Sequence, residues 1–95
     1  MMRSPKLRKS ADGAPCCMRG PTCNGGQGDV AWRHSNHQEH GKGMGQKAHD
    51  LFGFYGCQPC EDWYAGPLLL KSEKYPTFIK AWERSMIYAC EEGVL

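Results

Sequence analysis

The chain has 95 residues, 40% of them hydrophobic, with a mean hydropathy of −0.64 and a formal net charge of +2. That is one domain at most, with a thin core that benefits from a staple, and the six cysteines are the obvious source of one. No apolar run approaches the ~18 residues of a membrane span, and the 12 glycines and 6 prolines argue against a long coiled coil.

Residues 1–15 read as a basic lead-in. Arg3, Lys6, Arg8 and Lys9 fall in the first ten residues with no acid among them. A flexible basic arm of this kind attracts a phosphate backbone, because each neutralised phosphate releases a counterion. The plain alternative is a solvated, disordered tail. Residues 1–50 carry net +4 and residues 51–95 net −2, so the positive charge is gathered in the first half. The basic start runs into Ser-Ala-Asp-Gly-Ala-Pro rather than an apolar stretch, which is not the pattern of a secretory signal. A cytoplasmic setting is therefore expected. In a reducing compartment six cysteines point to metal binding rather than to disulfides.

Residues 16–28, with Cys16, Cys17, Gly20, Pro21, Cys23 and then Asn24-Gly25-Gly26, predict a tight knuckle. Asp29–His34 alternates Val30 and Trp32 with Ala31 and Arg33, a strand of four to six residues. Ser35–Asp50 is rich in glycine, histidine and lysine and reads as a loop; loops this long are usually functional or disordered. Leu51–Cys57 looks like a second, aromatic strand, and Gln58-Pro59-Cys60 a turn. A short helix follows, since Glu61 and Asp62 suit a positive helix N-terminus and Gly66-Pro67 ends it. From Thr77 to Glu92, Phe78, Ile79, Trp82, Met86, Ala89 and Cys90 recur at three- and four-residue steps. That is an amphipathic helix stopped at Gly93.

The two cysteine pairs carry the strongest chemical signal. Cys57-Gln58-Pro59-Cys60 is a CxxC able to present two thiolates to one tetrahedral zinc. Cys16 and Cys23, bent together by Gly20 and Pro21, supply a second pair, with Cys17 a rival for Cys16. Joining the pairs through an ion closes the 33-residue gap from Cys23 to Cys57. A redox CxxC is the alternative, but no thioredoxin-like pattern surrounds it. Cys90, on the apolar face of the last helix, reads as a buried small hydrophobe.

All four histidines, His34, His37, His40 and His49, fall within sixteen residues. His34, at a strand end, is best placed to take a proton from water while a divalent ion stabilises a leaving oxygen. For His37, His40 and His49 a solvated polar loop is as good an account. Gly41–Lys47 offers backbone amides and ammonium groups to phosphate. Neither G-x-x-x-x-G-K-[ST] nor a G-x-G-x-x-G between strand and helix occurs, so nucleotide-triphosphate and dinucleotide readings fail. Trp63, Tyr64, Phe78 and Trp82 read as core rather than stacking platforms.

Taken in order, Lys6-Leu7-Arg8-Lys9-Ser10-Ala11, Cys16-x-x-Arg19-x-Pro21-x-Cys23-Asn24-Gly25, a strand ending in His34, Gly43-x-Gly45-x-Lys47-x-x-Asp50 and Cys57-x-x-Cys60 span most of the chain. The pattern resembles a family of short phage and prophage nucleases (YbcO-like), related to the HNH or His-Me finger group. The resemblance picks Cys16 over Cys17 as a zinc ligand. It implies a ββα catalytic unit braced by structural Zn²⁺ on Cys16, Cys23, Cys57 and Cys60, with phosphodiester hydrolysis as the chemistry. His34 matches the water-activating histidine, Asp50 a residue that orients it or touches the metal, and Asp62 an acid facing that metal. Lys47 is expected near the scissile phosphate. Two positions depart from the pattern: Glu61 stands where a histidine is usual, and Ala65 where an acid is common. Glu61 can still bind Mg²⁺ or Mn²⁺, which prefer carboxylate oxygen.

The expectation is therefore a small α+β domain over residues 16–95 behind a basic arm over residues 1–15. It has a treble-clef-like zinc knuckle, a β-hairpin, a short helix and a C-terminal amphipathic helix packed on the hairpin face of Val30, Trp32, Phe52 and Phe54. The expected function is metal-dependent hydrolysis of nucleic acid, DNA first, in the bacterial host cytoplasm and with no membrane partner. If the last helix carries a stripe wider than the domain can cover, a homodimer through it follows. The alternative is a catalytically inactive zinc module that binds nucleic acid or protein.

Overall fold

A computed structural model describes residues 4–26, 28–35 and 49–94. In chain order the elements are α1 (Pro5–Ser10), β1 (Ala31–His34), β2 (Gly53–Gly56), α2 (Gln58–Ala65) and α3 (Lys71–Glu91). Together they make a small α+β fold with a two-stranded antiparallel sheet. Among the described residues, no helix is long and apolar enough to cross a membrane.

Within the N-terminal segment, Pro5–Ser10 form a helix. Ser4 accepts a hydrogen bond from Leu7 N at 3.3 Å, and Pro5 occupies the start of the helix, where its missing N–H costs nothing. Leu7 and Ala11, four residues apart, are buried with Trp32, Tyr55 and Ala89. Ser10 Oγ donates to Leu7 O at 2.6 Å, which leaves it to accept from the Tyr55 hydroxyl, also at 2.6 Å.

The register pairs Trp32 with Tyr55, Arg33 with Phe54 and His34 with Gly53. Strand alternation then sends Trp32 and Tyr55 to one face and Phe54 to the other. Phe54 packs with Met18, Tyr64, Phe78 and Ala81 in one apolar cluster, while Trp32 and Tyr55 belong to a second with α1 and the end of α3. The expected single hairpin face of Val30, Trp32, Phe52 and Phe54 is thereby corrected. The outer edge of β2 is covered rather than open: Cys17 N donates to Tyr55 O at 2.7 Å, and Tyr55 N donates to Ser85 Oγ at 3.0 Å.

Helix α2 is capped at both ends by residues from outside it. Asp29 Oδ2 accepts from Gln58 N at 3.1 Å, and Lys74 donates to Tyr64 O and, at 2.9 Å, to Gly66 O. Helix α3 begins six residues before the predicted Thr77 and runs through Pro76. Pro76 and Ser72 are both exposed, so water can serve the carbonyl that the proline leaves without a donor. Its buried stripe is Phe78, Ala81, Ser85 and Ala89. Cys90, expected inside, is exposed. The stop at Gly93 (φ +73) holds: Val94 N donates to Ala89 O at 2.8 Å and Gly93 N to Cys90 O at 3.2 Å, closing the last turn.

Candidate metal centre and histidine–aspartate dyad

The knuckle and the α2 N-terminus meet. Sγ atoms of Cys16, Cys23, Cys57 and Cys60 all lie within 4.8 Å of one another, and all six cysteines are free thiols. Cys16 and Cys60 are 3.6 Å apart, and Cys57 and Cys23 4.0 Å. A tetrahedral zinc with Zn–S near 2.3 Å separates its sulfurs by about 3.8 Å. The donor set therefore fits a structural zinc. Cys17 is not in the quartet: its backbone N–H faces Tyr55 O, and burial pushes its thiol up.

Backbone amides support the sulfurs. Gly20 N donates to Cys60 Sγ at 3.4 Å, Gly25 N to Cys23 Sγ at 3.3 Å and Cys57 N to Cys16 Sγ at 3.5 Å. Burial opposes ionisation of Cys16, but the amides of Arg19, Cys57 and Met18 outweigh it and bring that thiol down to about 7. Burial pushes the Cys60 and Cys23 thiols up instead. Cys57 is the N-cap residue of α2 and Cys60 lies in its first turn, so one helix start holds both sulfurs. Gly20 is needed here: a Cβ on it would sit 2.7 Å from the Trp63 ring, which covers the knuckle.

The second constellation lies at the opposite end of the hairpin. His34 pairs with Gly53, whereas Cys57 follows the last residue of β2. Four strand residues separate the two ends, about 13 Å along β2. There His34 Nε2 and Asp50 Oδ1 are 2.5 Å apart. Asp50 is fully buried and His34 half-buried. Oδ2 of Asp50 accepts from Ser4 N and lies 3.5 Å from Arg8 Nε, both from the first helix and its cap.

Two tryptophans pin the turn that carries Asp50. Trp32 Nε1 donates to Asp50 O at 2.6 Å, and Trp82 Nε1 donates to Leu51 O at 2.9 Å. Phe52 stacks on Trp82 with ring centroids 6.1 Å apart. Phe52 also closes the turn from both sides, since its N donates to His49 O at 2.9 Å and its O accepts from Ser35 N at 2.8 Å. Gly53 makes room for the Trp32 indole, because a Cβ there would lie 2.7 Å from Nε1.

Of the sequence-predicted site residues, the four cysteines converge, and so do His34 and Asp50. Glu61 and Asp62 do not join His34. Asp62 is exposed and accepts from Gln58 Nε2 at 2.9 Å within its own helix. Glu61 feels Arg33, whose place in the strand puts it on the face opposite His34. Burial pushes the Glu61 carboxyl up, Arg33 pulls it back and Asp62 adds to the rise. Among the described residues, the cysteine quartet is the group of three or more His, Cys, Asp or Glu side chains close enough to hold an ion. Among the described residues, no hydrogen bond or ion pair joins His34 to Glu61 or Asp62, and no carboxylate of α2 belongs to a group close enough to hold a catalytic Mg²⁺ or Mn²⁺. Lys47, His37, His40 and the Gly41–Lys47 stretch lie outside the described residues.

Ser4 and Arg8 escaped the sequence reading as site residues. Ser-Pro ahead of a Leu-x-x-x-Ala pair is a helix-start signal that could have revealed α1; nothing in the sequence links it to Asp50. Comparison with family models, curated proteins and solved structures gives no match for this chain.

Proposed function

We propose that the chain is a zinc-braced phosphodiesterase of the HNH or His-Me finger kind that cleaves nucleic acid, DNA first, in a phage or prophage setting within the bacterial cytoplasm. The reading rests on one observation above all: a half-buried imidazole held 2.5 Å from a fully buried carboxylate at a strand end. Because a carboxylate only accepts, Nε2 carries the proton and Nδ1 keeps the lone pair. Nδ1 then takes a proton from the water as the water oxygen bonds to phosphorus. The P–O bond to one strand end breaks, the departing oxygen takes a proton from solvent, and Asp50 stabilises the imidazolium that forms. Exposed Lys6 and Lys9 on α1, beside Arg8, add positive charge on the helix that reaches the dyad. A zinc on Cys16, Cys23, Cys57 and Cys60 would tie the knuckle to the end of β2 and so brace the hairpin that carries His34. A divalent ion, where the reaction uses one, would neutralise charge on the phosphate; no step here runs through Glu61 or Asp62.

The test is nicking of supercoiled plasmid in Mg²⁺ or Mn²⁺. The wild type should nick, and His34→Ala should lose about 10²- to 10⁴-fold, the usual contribution of a general base. No nicking by the wild type, or equal nicking by His34→Ala, removes the reading. A second reading draws on the α2 carboxylates, neither of which joins a metal-capable group among the described residues: a zinc module that binds nucleic acid through α1 without cutting it. Salt-dependent DNA binding with no cleavage in any divalent metal would select it.

A further inference from the structure

The dyad is not completed by the hairpin alone. Asp50 has no exposed surface, and a buried carboxylate needs charged or hydrogen-bonding partners to stay ionised. Oδ1 meets His34 on the hairpin, while Oδ2 takes Ser4 N and lies 3.5 Å from Arg8 Nε. The terminal torsion of an aspartate is soft and roughly two-fold. Holding one oxygen therefore fixes the plane of the carboxylate and aims the lone pair of the other. A protonated or rotated Asp50 would no longer demand a proton on Nε2, and the imidazole would be free to take either tautomer.

We infer that helix α1 is the positioning element of the dyad, with Arg8 and the Ser4 amide holding Asp50 so that His34 keeps its proton on Nε2 and its lone pair on Nδ1. This deepens the phosphodiesterase reading and rests on it for its catalytic meaning, but the tautomer itself can be read without any activity. Leu7 and Ala11 anchor the helix in the apolar cluster beside Trp32, so α1 sits over the dyad by packing as well as by charge. Arg8 is half-exposed, so its pairing with Asp50 can be removed without opening the core.

The experiment records long-range proton–nitrogen correlations of the histidine side chains in the full, zinc-loaded chain at a pH where the imidazole is neutral. In the wild type His34 should show one tautomer, protonated on Nε2. Arg8→Ala should give a mixture of tautomers with faster exchange of the Nε2 proton, while the amide spectrum and zinc content stay at wild-type values. Arg8→Lys, which keeps a charge able to pair with Oδ2, should restore the single tautomer. If Arg8→Ala folds and keeps the Nε2 proton as firmly as the wild type, the inference is overturned. If Arg8→Ala fails to fold, Arg8→Lys and Arg8→Gln are compared, and equal tautomer mixing in both overturns it. Where nicking is present, Arg8→Ala should slow it by about tenfold to a hundredfold at unchanged KM, the usual cost of losing an outer partner of a functional imidazole. Absence of nicking in the wild type overturns the function and leaves the tautomer result standing, so the two failures are distinguishable.

Discussion

Zinc removal, or loss of one ligand, should unfold this protein. Two sulfur pairs stand at 3.6 and 4.0 Å, either side of the tetrahedral value, and all four sulfurs lie within 4.8 Å of one another. A structural zinc contributes about 10–16 kcal/mol of apparent binding free energy at neutral pH. A whole domain is stable by about 5–15 kcal/mol, so the ion is comparable to everything else combined. Cys16, Cys57 and Cys60 also belong to the apolar cluster of Phe54, Tyr64 and Phe78, which losing the ion would leave around unpaired thiols. Metal analysis should find about one zinc per chain. Far-UV circular dichroism should show the helical signal and the cooperative melt disappearing with a strong chelator. Cys60→Ser should behave as the chelated protein does, whereas Cys17→Ser and Cys90→Ser keep the zinc. Retention should fall as pH falls, because burial holds the Cys60 and Cys23 thiols up and zinc must displace their protons. An unchanged melt after complete metal removal would refute the reasoning, as would loss of zinc in Cys17→Ser.

Three further outcomes follow from the packing. Gly53→Ala puts a Cβ 2.7 Å from both Arg33 O and Trp32 Nε1, so urea denaturation should show a loss of about 1–3 kcal/mol; an unchanged midpoint would contradict the contact. Phe78→Ala, at a fully buried position against Phe54 and Tyr64, should cost about 3–5 kcal/mol in the same assay. Glu61→Gln should stabilise the fold at pH 7 and make no difference below about pH 4. The sign follows from burial: it raises the native carboxyl above its unfolded value, so ionisation costs the folded state once the pH passes the unfolded pKa. A Gln variant less stable than wild type at pH 7 would reverse that sign.

Local chemistry was legible where it depends on neighbours in the chain. Cys57-x-x-Cys60 and the bend at Gly20-Pro21 announced two ligand pairs, since each needs only a few residues to converge. Gly93 announced the end of α3 for the same reason, because a left-handed turn favours glycine wherever it stands. The second half of α3 was plain from its apolar steps. Its first turn and a half were hidden by Pro76, which reads as a helix stop but is tolerated here because that turn faces water.

The sequence by itself determined which atoms can bind a metal, where the hairpin strands lie and that His34 ends one of them. Only the tertiary structure decided what His34 faces. A strand sends successive side chains to opposite sides, so the register that pairs Trp32 with Tyr55 puts the imidazole on the face where it meets Asp50, beside α1. It also turned a basic lead-in into a folded helix, because Leu7 found a buried place beside Trp32 that no local signal reveals. Choice of sheet face and long-range burial are properties of pairing, and pairing is not written in any one stretch of chain.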